Sequence, residues 1–225
     1  MLKKDIYLIT GGCGFIGSAV IRHLLKDKNN IVINIDKLSY ASNTDAVEAS
    51  ESESYIFIKD DIINKEKINE ILINYSPNYV IHLAAESHVD RSIDNPISFI
   101  ESNILGTFNL LHQCYSYWKN LENKPKDKFK FLFVSTDEVY GSTSDESFSE
   151  LSPLRPNSPY AASKASADLL ARSWFKTYNF PIIVSNCSNN YGKWQYPEKL
   201  IPLVIKKCIQ NKKIPIYGNG KQERD

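Results

Sequence analysis

The sequence predicts an α/β fold: a doubly wound parallel sheet, followed by the beginning of a smaller C-terminal lobe. Three observations lead to this prediction. Short apolar runs are nearly continuous rather than alternating, longer stretches with helical periodicity separate them, and the composition changes after Asn186. Strands that are apolar on both faces are typical of parallel sheets with helices on each side. Regular alternation of strands and helices is typical of the doubly wound arrangement.

The first half of the chain contains four predicted strands and two predicted helices. Ile, Val and Tyr, which favour strands, dominate four short runs: IYLIT (6–10), IVINID (31–36), YIFIK (55–59) and YVIHLAA (79–85). Apolar residues recur every three or four positions in FIGSAVIRHLLK (15–26) and near 64–75. This spacing predicts amphipathic helices.

The same alternation continues in the second half. Helical spacing predicts helices at 97–118 and 158–178, and the apolar runs FKFLFVS (129–135) and PIIVSN (181–186) predict strands. The polar stretches 42–54 and 142–158 are expected to form surface loops with short helical pieces.

Composition excludes several classes of protein. The net charge is +1 and no long basic run occurs, so we expect neither a nucleic-acid nor a membrane-surface partner. Cys13, Cys114, Cys187 and Cys208 are widely spaced, which favours neither a metal site nor a disulfide framework. No signal peptide or membrane span is recognisable. A cytoplasmic protein with reduced thiols is therefore expected.

TGGCGFIGS (10–18) lies between the first strand and the first helix, with Gly11, Gly14 and Gly17 at three-residue spacing. Such glycines turn the chain tightly, admit a pyrophosphate to backbone amides and let the helix approach the strand. Asp36 ends the second strand, where a carboxylate can bind both ribose hydroxyls and repel a 2′-phosphate. The pattern predicts a Rossmann domain that binds NAD rather than NADP. The alternative is an ordinary turn with a capping Asp.

Asp61 and Ile62 follow the third strand, where an adenine would lie in such a fold. An Asp at the end of a strand is also a common turn residue, so both interpretations stay open.

Tyr160 and Lys164 form a Tyr-x-x-x-Lys pair near the start of a predicted helix, one turn apart on one face. A neighbouring ammonium, together with a positively charged nicotinamide, would favour the phenolate. Tyr160 would then accept the proton of a hydroxyl group while hydride leaves the same carbon. An ordinary surface pair is the alternative.

STDEVYG (135–141) places a hydroxyl and two adjacent carboxylates, Asp137 and Glu138, at the end of a predicted buried strand. A solvated turn is the usual explanation of such a doublet. A general acid and a general base are the alternative, since mutual repulsion helps to keep one of two close carboxylates protonated.

Several longer motifs identify a family. The chain resembles the extended short-chain dehydrogenases/reductases that act on nucleotide sugars, and among them the 4,6-dehydratases. The resemblance extends along the whole chain, through TGGCGFIGS, NIDKLSYASN, HLAAESHVDRSID, STDEVYG, SPYAASKAS, NCSNNYGKWQYPEKLIP and PIYGNGKQERD. It implies a Rossmann domain at 1–186 and the start of a nucleotide-sugar-binding lobe at 187–225, which we expect to be incomplete.

The resemblance also implies a reaction. An NAD-dependent lyase would convert dTDP-glucose to dTDP-4-keto-6-deoxyglucose, towards deoxysugars such as rhamnose, by oxidation at C4, loss of water across C5 and C6, and return of hydride to C6. Tyr160 would be the oxidation base beside Lys164, and Thr136 would hydrogen bond the C4 oxygen. Glu138 would be the base for C5 and Asp137 the acid for the leaving hydroxyl.

Further binding residues are implied by matched motifs. The cofactor would contact Gly11, Gly14, Phe15, Ile16, Gly17, Asp36, Lys37, Leu38, Ser39, Asp61, Ile62, Leu83, Ala84, Ala85, Ser87, Ser102, Tyr160 and Lys164. The sugar nucleotide would contact Ser87, Thr136, Asn189, Lys199, Leu200, Pro215, Ile216, Tyr217 and Arg224. His88 would be a supporting residue.

The resemblance further implies a homodimer that pairs through the helices at 97–118 and 158–178. Candidate residues for its apolar seam are Phe99, Ile104, Phe108, Leu111, Leu169, Leu170 and Trp174. Three alternatives stay open at this point: a UDP-glucose 4,6-dehydratase, an epimerase or decarboxylase of the same group, and a truncated, non-catalytic NAD-binding module.

Overall fold

Six parallel strands form one sheet in the computed structural model, which describes residues 4–48, 52–143, 147–216 and 219–220. The spatial order is β3-β2-β1-β4-β5-β6. The strands are β1 (Asp5–Thr10), β2 (Asn30–Asp36), β3 (Tyr55–Lys59), β4 (Tyr79–His82), β5 (Lys130–Thr136) and β6 (Ile182–Cys187). The register is continuous, for example Leu8 opposite Ile33 on one side and Val80 on the other. The predicted doubly wound parallel sheet is confirmed.

Helices connect the strands and cover both faces of the sheet. They are α1 (Phe15–Leu24), α2 (Lys65–Tyr75), α3 (Val89–Asp94), α4 (Pro96–Phe99), α5 (Thr107–Lys119), α6 (Asn123–Lys128), α7 (Pro159–Tyr178) and α8 (Leu200–Ile209). A π-helical segment, Ile100–Gly106, joins α4 to α5, and single 3-10 turns lie at Thr44–Val47 and Asp137–Tyr140. Within the described ranges, no helix has both the length and the apolar character needed to cross a membrane.

The structure differs from the sequence-based prediction at three elements, for identifiable reasons. The predicted strand 79–85 ends at His82; Leu83 makes one more backbone hydrogen bond to Thr10, and the apolar residues 83–85 line a cleft. The predicted helix 97–118 is interrupted by the π-helical segment. Helix α8 was not predicted, since Pro202 and the Gly- and Pro-rich flanks of this segment obscure its apolar periodicity.

The larger core lies between the sheet and the helices that include α2, α5 and α7. Phe129, just before β5, and Phe131 and Phe133 within it alternate with less buried residues, and all three are fully buried. Phe180, which precedes β6, packs against this row, with its ring centroid 5.8 Å from that of Phe131. This aromatic row anchors β5, the strand that ends at Thr136.

A buried polar bridge connects β1, β4 and α5 within this apolar surrounding. His82 Nδ1 lies 2.7 Å from Thr10 Oγ1, and its Nε2 lies 2.9 Å from Thr107 Oγ1. Thr10 Oγ1 also accepts a hydrogen bond from the Ala84 N–H at 3.2 Å. The pKa of His82 is lowered to about 3, first because burial disfavours the imidazolium and second because Lys164 is nearby. The ring is therefore neutral, with one nitrogen donating and the other accepting.

This bridge should make the free energy of unfolding fall with decreasing pH. Free histidine titrates near about pH 6.5, so below that pH the unfolded chain binds a proton that folded His82 excludes. Stability is then lost as the pH falls from about 6.5 towards about 3. Between about pH 7 and pH 5 the loss should be about 2 kcal/mol, measured by denaturant titration at several pH values.

His82→Gln is the matched control, because a glutamine can hydrogen bond but does not titrate in this range. Between about pH 7 and pH 5, the unfolding free energy of His82→Gln should fall by about 2 kcal/mol less than that of the wild type. Parallel pH profiles for the two proteins would contradict the prediction.

Candidate active site

A cleft of about 320 Å³ opens at the carboxyl ends of the strands. β1 lies at the centre of the sheet, between β2 on one side and β4 on the other. Chain connections therefore diverge from β1, and this switch point is where open α/β sheets bind their ligands. The loops after β1, β2 and β3 form one half of the cleft, and those after β4, β5 and β6 form the other.

The glycine loop between β1 and α1 forms the floor of the cleft. Gly11 has a φ of +72°, and a Cβ there would lie 2.6 Å from the Ala84 Cα. A Cβ on Gly17 would lie 2.2 Å from the Gly11 carbonyl oxygen. Backbone thus approaches backbone at distances that exclude any side chain at these two positions.

The first turn of α1 faces the cleft without a side-chain cap. Its N-cap is Gly14, which has no side chain to satisfy the helix N–H groups, and Gly14, Phe15, Ile16 and Gly17 all line the cleft. Unsatisfied N–H groups and the positive end of a helix dipole form a binding place for an anion. The loop therefore fits the pyrophosphate of a dinucleotide.

Two polar side chains from β2 hold this loop in place. The Asp36 carboxylate accepts hydrogen bonds from the Cys13 N–H at 2.9 Å, the Leu38 N–H at 2.8 Å and the Ser42 hydroxyl at 3.0 Å. Asn34, fully buried, accepts one from the Gly12 N–H at 3.0 Å. Sequence reasoning found Asp36 but missed Asn34, whose signal was an amide inside an otherwise apolar strand.

Charged side chains form a cluster at the adenosine half of the cleft. Lys37 Nζ lies 3.3 Å from Glu86 Oε1 and 3.8 Å from Asp61 Oδ2. Lys37 and Asp61 were both predicted site residues. Because Lys37 is held between two carboxylates, its positive charge is already compensated within the protein.

The acidic doublet lies where β5 ends. Thr136 is the N-cap of the short turn Asp137–Tyr140, and its hydroxyl accepts a hydrogen bond from the Glu138 N–H at 3.3 Å. The same hydroxyl donates to Asp137 Oδ1 at 3.1 Å. Thr136 and Glu138 line the cleft, while Asp137 lies beside them, half buried, and is not a lining residue. The doublet is therefore not a freely solvated turn.

Tyr160 and Lys164 come from the first turns of α7, whose N-cap is Ser158. Lys164 Nζ donates to the Val134 carbonyl at 2.7 Å and lies 4.4 Å from the centre of the Phe133 ring. Burial lowers the pKa of Lys164 to about 8, although Asp168 opposes this effect.

The pKa of Tyr160 is raised in the protein without a cofactor, whereas the expected phenolate depended on a nicotinamide cation as well as on Lys164. Burial is the main cause and the Glu138 carboxylate adds to it, while a hydrogen bond with Thr136 acts in the opposite direction. Lys164 does not offset the burial of Tyr160, because its ammonium is directed to the backbone of β5. In the protein alone Tyr160 is thus a neutral phenol.

Residues 190–199 cross the mouth of the cleft. Glu198 accepts a hydrogen bond from the Tyr40 hydroxyl at 2.9 Å and lies 3.6 Å from His88 Nε2. At the other end, Glu48 Oε1 accepts from Lys193 Nζ at 2.5 Å and from the Trp194 indole at 2.8 Å. The supporting position expected for His88 agrees with its contact to Glu198.

Most of the predicted site residues line this cleft. They are Gly11, Gly14, Phe15, Ile16, Gly17, Asp36, Lys37, Ser39, Asp61, Ile62, Leu83, Ala84, Ala85, Ser87, Ser102, Thr136, Glu138, Tyr160, Lys164, Asn189 and Lys199. Sequence reasoning missed several lining residues, among them Tyr40, Ser42, Cys187, Tyr196 and Glu198.

The remaining predicted residues lie elsewhere. The Leu38 side chain packs against the smaller core cluster beside α1. Leu200, Pro215 and Ile216 are exposed and do not line the cleft. Tyr217 and Arg224 lie outside the described residues. In the part of the chain that the structure describes, no group of three or more His, Cys, Asp or Glu side chains is arranged to hold a metal ion.

The fold and the cleft define the class of the extended short-chain dehydrogenases/reductases, whose Tyr-x-x-x-Lys pair faces a glycine loop across a Rossmann sheet. Residues 8–225 match the family described as GDP-mannose 4,6 dehydratase. The chain belongs to this family.

Relatives and solved structures agree with this assignment. The chain is 51% identical over 229 residues to the dTDP-glucose 4,6-dehydratase of Salmonella typhimurium, covering 97% of this chain and 63% of the relative. It is 48% identical to that of Neisseria meningitidis serogroup B, covering 97% and 62%. The dTDP-glucose 4,6-dehydratase of Streptomyces venezuelae, solved with NAD and TYD bound, has a TM-score of 0.88 and 40% identity, covering 97% of this chain and 66% of that chain. The chain thus spans less than two thirds of the length of these relatives.

Lys164 should titrate far below an ordinary lysine in the protein without ligands. Burial disfavours its ammonium form, so the pKa is lowered to about 8, whereas free lysine titrates near about 10.4. The measurement is the pH dependence of the side-chain ¹³Cε resonance in protein labelled at lysine, assigned by its loss in Lys164→Met. The exposed Lys206 in the same sample is the control. A Lys164 midpoint equal to that of Lys206 would refute the prediction.

Proposed function

We propose that the chain belongs to an NAD-dependent carbon–oxygen lyase that converts dTDP-glucose to dTDP-4-keto-6-deoxyglucose. The observation that carries this proposal is that Thr136, Glu138, Tyr160 and Lys164 line the same cleft as the glycine loop. The names of the relatives, and the NAD and TYD in a similar solved structure, support the substrate and the cofactor.

NAD is the proposed cofactor because the residues present fit it. The glycine loop excludes side chains at Gly11 and Gly17, and the Asp36 carboxylate lies where a ribose would bind. A 2′-phosphate would meet this carboxylate, and Lys37, already paired with Glu86 and Asp61, would not compensate it. When bound, NAD accepts a hydride from the substrate and later returns it.

Tyr160 is the proposed base for the oxidation step, accepting the proton of the C4 hydroxyl at its Oη. The raised pKa of Tyr160 means that the protein alone does not generate a phenolate. A nicotinamide cation bound beside it would supply the missing positive charge. Thr136, hydrogen bonded to both members of the acidic doublet, can orient the C4 oxygen. Lys164 adds the charge of its ammonium at the same end of the cleft.

Glu138 is the proposed base for the C5 proton, and Asp137 the acid for the departing C6 hydroxyl. Glu138 lines the cleft and Asp137 lies behind Thr136. An acid–base pair of this kind is what elimination of water requires. The thymidine nucleotide is preferred over uridine because the relatives reported above carry dTDP in their names. A cytoplasmic location is part of the proposal, supported by cysteines that are all free.

Substitutions should distinguish the oxidation at C4 from the elimination of water. Glu138→Gln and Asp137→Asn should each lower the rate of dehydration by about 100-fold or more, a typical contribution of a general acid or base. Tyr160→Phe should stop the reaction before any oxidation. The measurement incubates protein with dTDP-glucose deuterated at C4 and follows the 4-keto-6-deoxy product, and deuterium transfer to C6, by NMR.

The exposed Glu150→Gln is the control and should turn over like the wild type. If Glu138→Gln eliminated water at the wild-type rate, the assignment of Glu138 as the base would be wrong. UDP-glucose offered in parallel tests the choice of nucleotide.

A homodimer paired through α5 and α7 is the proposed assembly. Phe108 on α5 and Leu169 on α7 are 44% and 58% exposed, although both are large apolar residues. Ile97 on α4 and Phe175 on α7 are also large apolar residues that are exposed. Of the seam residues proposed from the sequence, Phe99 and Leu111 are buried inside their own chain and are not available for it.

Negative charges introduced on this surface should dissociate the proposed dimer into monomers. The double variant Phe108→Glu, Leu169→Glu should sediment as a monomer in analytical ultracentrifugation, because two carboxylates per chain would be buried without partners. The control is Leu151→Glu, since Leu151 is 95% exposed and lies on a loop away from α5 and α7. A dimeric double variant, or a monomeric wild type, would disprove this mode of pairing.

A further inference from the structure

We propose that Glu48 holds residues 190–199 closed over the cofactor cleft and thereby controls how fast NAD enters and leaves, an inference that rests on the function proposed above. Glu48 Oε1 accepts hydrogen bonds from Lys193 Nζ at 2.5 Å and from the Trp194 indole at 2.8 Å. None of these three residues lines the cleft. They therefore act through the segment that they hold and not on a ligand.

Residues 190–199 reach from one side of the sheet to the other. They follow β6, whereas Tyr40 and Glu48 follow β2, and three strands lie between β2 and β6. Neighbouring strands are about 4.8 Å apart, so the segment bridges roughly 19 Å. On the way Gly192 passes the first turn of α1, where a Cβ on Gly192 would lie 3.7 Å from Cε2 of the lining residue Phe15. The segment thus crosses the turn that is proposed to bind the pyrophosphate.

Polar contacts, and not the hydrophobic core, hold this segment. None of residues 190–199 is buried or belongs to a hydrophobic cluster that the structure describes. Its anchors include the Glu48 contacts and, at the other end, the hydrogen bond from the Tyr40 hydroxyl to Glu198. Segments with few buried apolar contacts open at a low free-energy cost. Loss of the Glu48 anchor should therefore change how often the segment opens.

The opposite side of this contact is attached to the glycine loop. Glu48 directly follows a 3-10 turn, in which the Ala46 carbonyl accepts a hydrogen bond from the Arg22 guanidinium on α1. Before that turn, the Asn43 N–H donates to the Cys13 carbonyl at 2.8 Å. Cys13 belongs to the glycine loop itself. The Glu48 contacts therefore connect the crossing segment to the same body that carries the proposed phosphate site.

Both sides of the contact have backbone conformations that residues other than glycine rarely adopt. Glu48 has a φ of +55° and Trp194 a φ of +72°. Such conformations cost free energy, persist where surrounding contacts impose them, and cluster at ligand clamps and switches. Core packing does not impose them here, since Trp194 is 37% exposed and the Glu48 side chain 41%. The shared carboxylate–indole contact is the constraint that the two residues have in common.

The proposed reaction is compatible with such a closed segment. The cofactor is regenerated within one turnover, so it can stay bound while substrate and product exchange. Closing segments of this kind often limit how fast ligands leave an enzyme. Because Glu48, Lys193 and Trp194 lie outside the cleft, their contact can slow cofactor exchange without entering the space that the substrate needs.

Rates of NADH entry and release test this inference on the full chain, because NADH fluorescence reports binding without any turnover. Release is followed after a chase with excess NAD, and entry by stopped-flow mixing with nucleotide-free protein. Glu48→Ala should raise both rate constants by about 10-fold, the effect of losing a charge-assisted hydrogen bond. The dissociation constant should change by less than about 2-fold, because the contact also forms in the protein without ligands.

The double variant Lys193→Met, Trp194→Phe removes the same contacts from the other side. It should raise both rate constants to a similar extent, and adding Glu48→Ala to it should have no further effect, since directly coupled partners are not additive. Glu70→Ala is the matched control, because Glu70 forms an exposed ion pair of the same 2.5 Å length with Lys67 on α2, and neither residue lines the cleft. It should leave both rate constants unchanged.

The outcomes distinguish this inference from the proposed function. If the wild type binds neither NADH nor NAD, the proposed function fails and the inference with it. If the wild type binds NADH but Glu48→Ala exchanges it at wild-type rates, only the inference is overturned. It is also overturned if Glu48→Ala accelerates release alone and loses affinity in proportion, since Glu48 would then stabilise the bound state without controlling entry.

Discussion

The close approach of backbone to backbone between β1 and α1 is the constraint on which the rest of the site depends. No Cβ fits at Gly17, where the loop folds back on the Gly11 carbonyl, or at Gly11, which lies against the backbone of Ala84 in the loop after β4. That closeness exposes the first turn of α1 at the centre of the sheet, where the strand order diverges. A larger residue at either position would push the helix away and remove the anion site with it.

Polar side chains at the ends of buried strands hold this loop in the position that shapes the cleft. Asn34 and Asp36 on β2 bind the loop N–H groups, and Thr10 and His82 join β1 to β4 beneath it. Each of these polar groups has a hydrogen-bond partner, which is the condition for burying it at low cost. The parallel sheet therefore supplies more than a scaffold, since its strand ends set where each loop begins.

The sheet and the glycine loop could be predicted from the sequence because local pattern determines them. Apolar runs identified all six strands, and the spacing of three glycines identified the loop. Asn34 and Glu198 could not be found in this way. Their roles come from contacts between residues far apart in the chain, 22 positions for Asn34 with Gly12 and 158 for Glu198 with Tyr40. The interruption of the helix at 100–106 likewise follows from tertiary packing, and helical periodicity alone does not reveal it.

Burial acts on Tyr160 and Lys164 in opposite directions, and this opposition makes the reactive end of the cleft respond to its ligand. The pKa of the phenol is raised and that of the ammonium is lowered to about 8, because a low-dielectric site disfavours both charged forms. A cation bound beside Tyr160 would stabilise its phenolate. The protein alone keeps Tyr160 protonated, so the proton abstraction proposed for Tyr160 would depend on an occupied cleft.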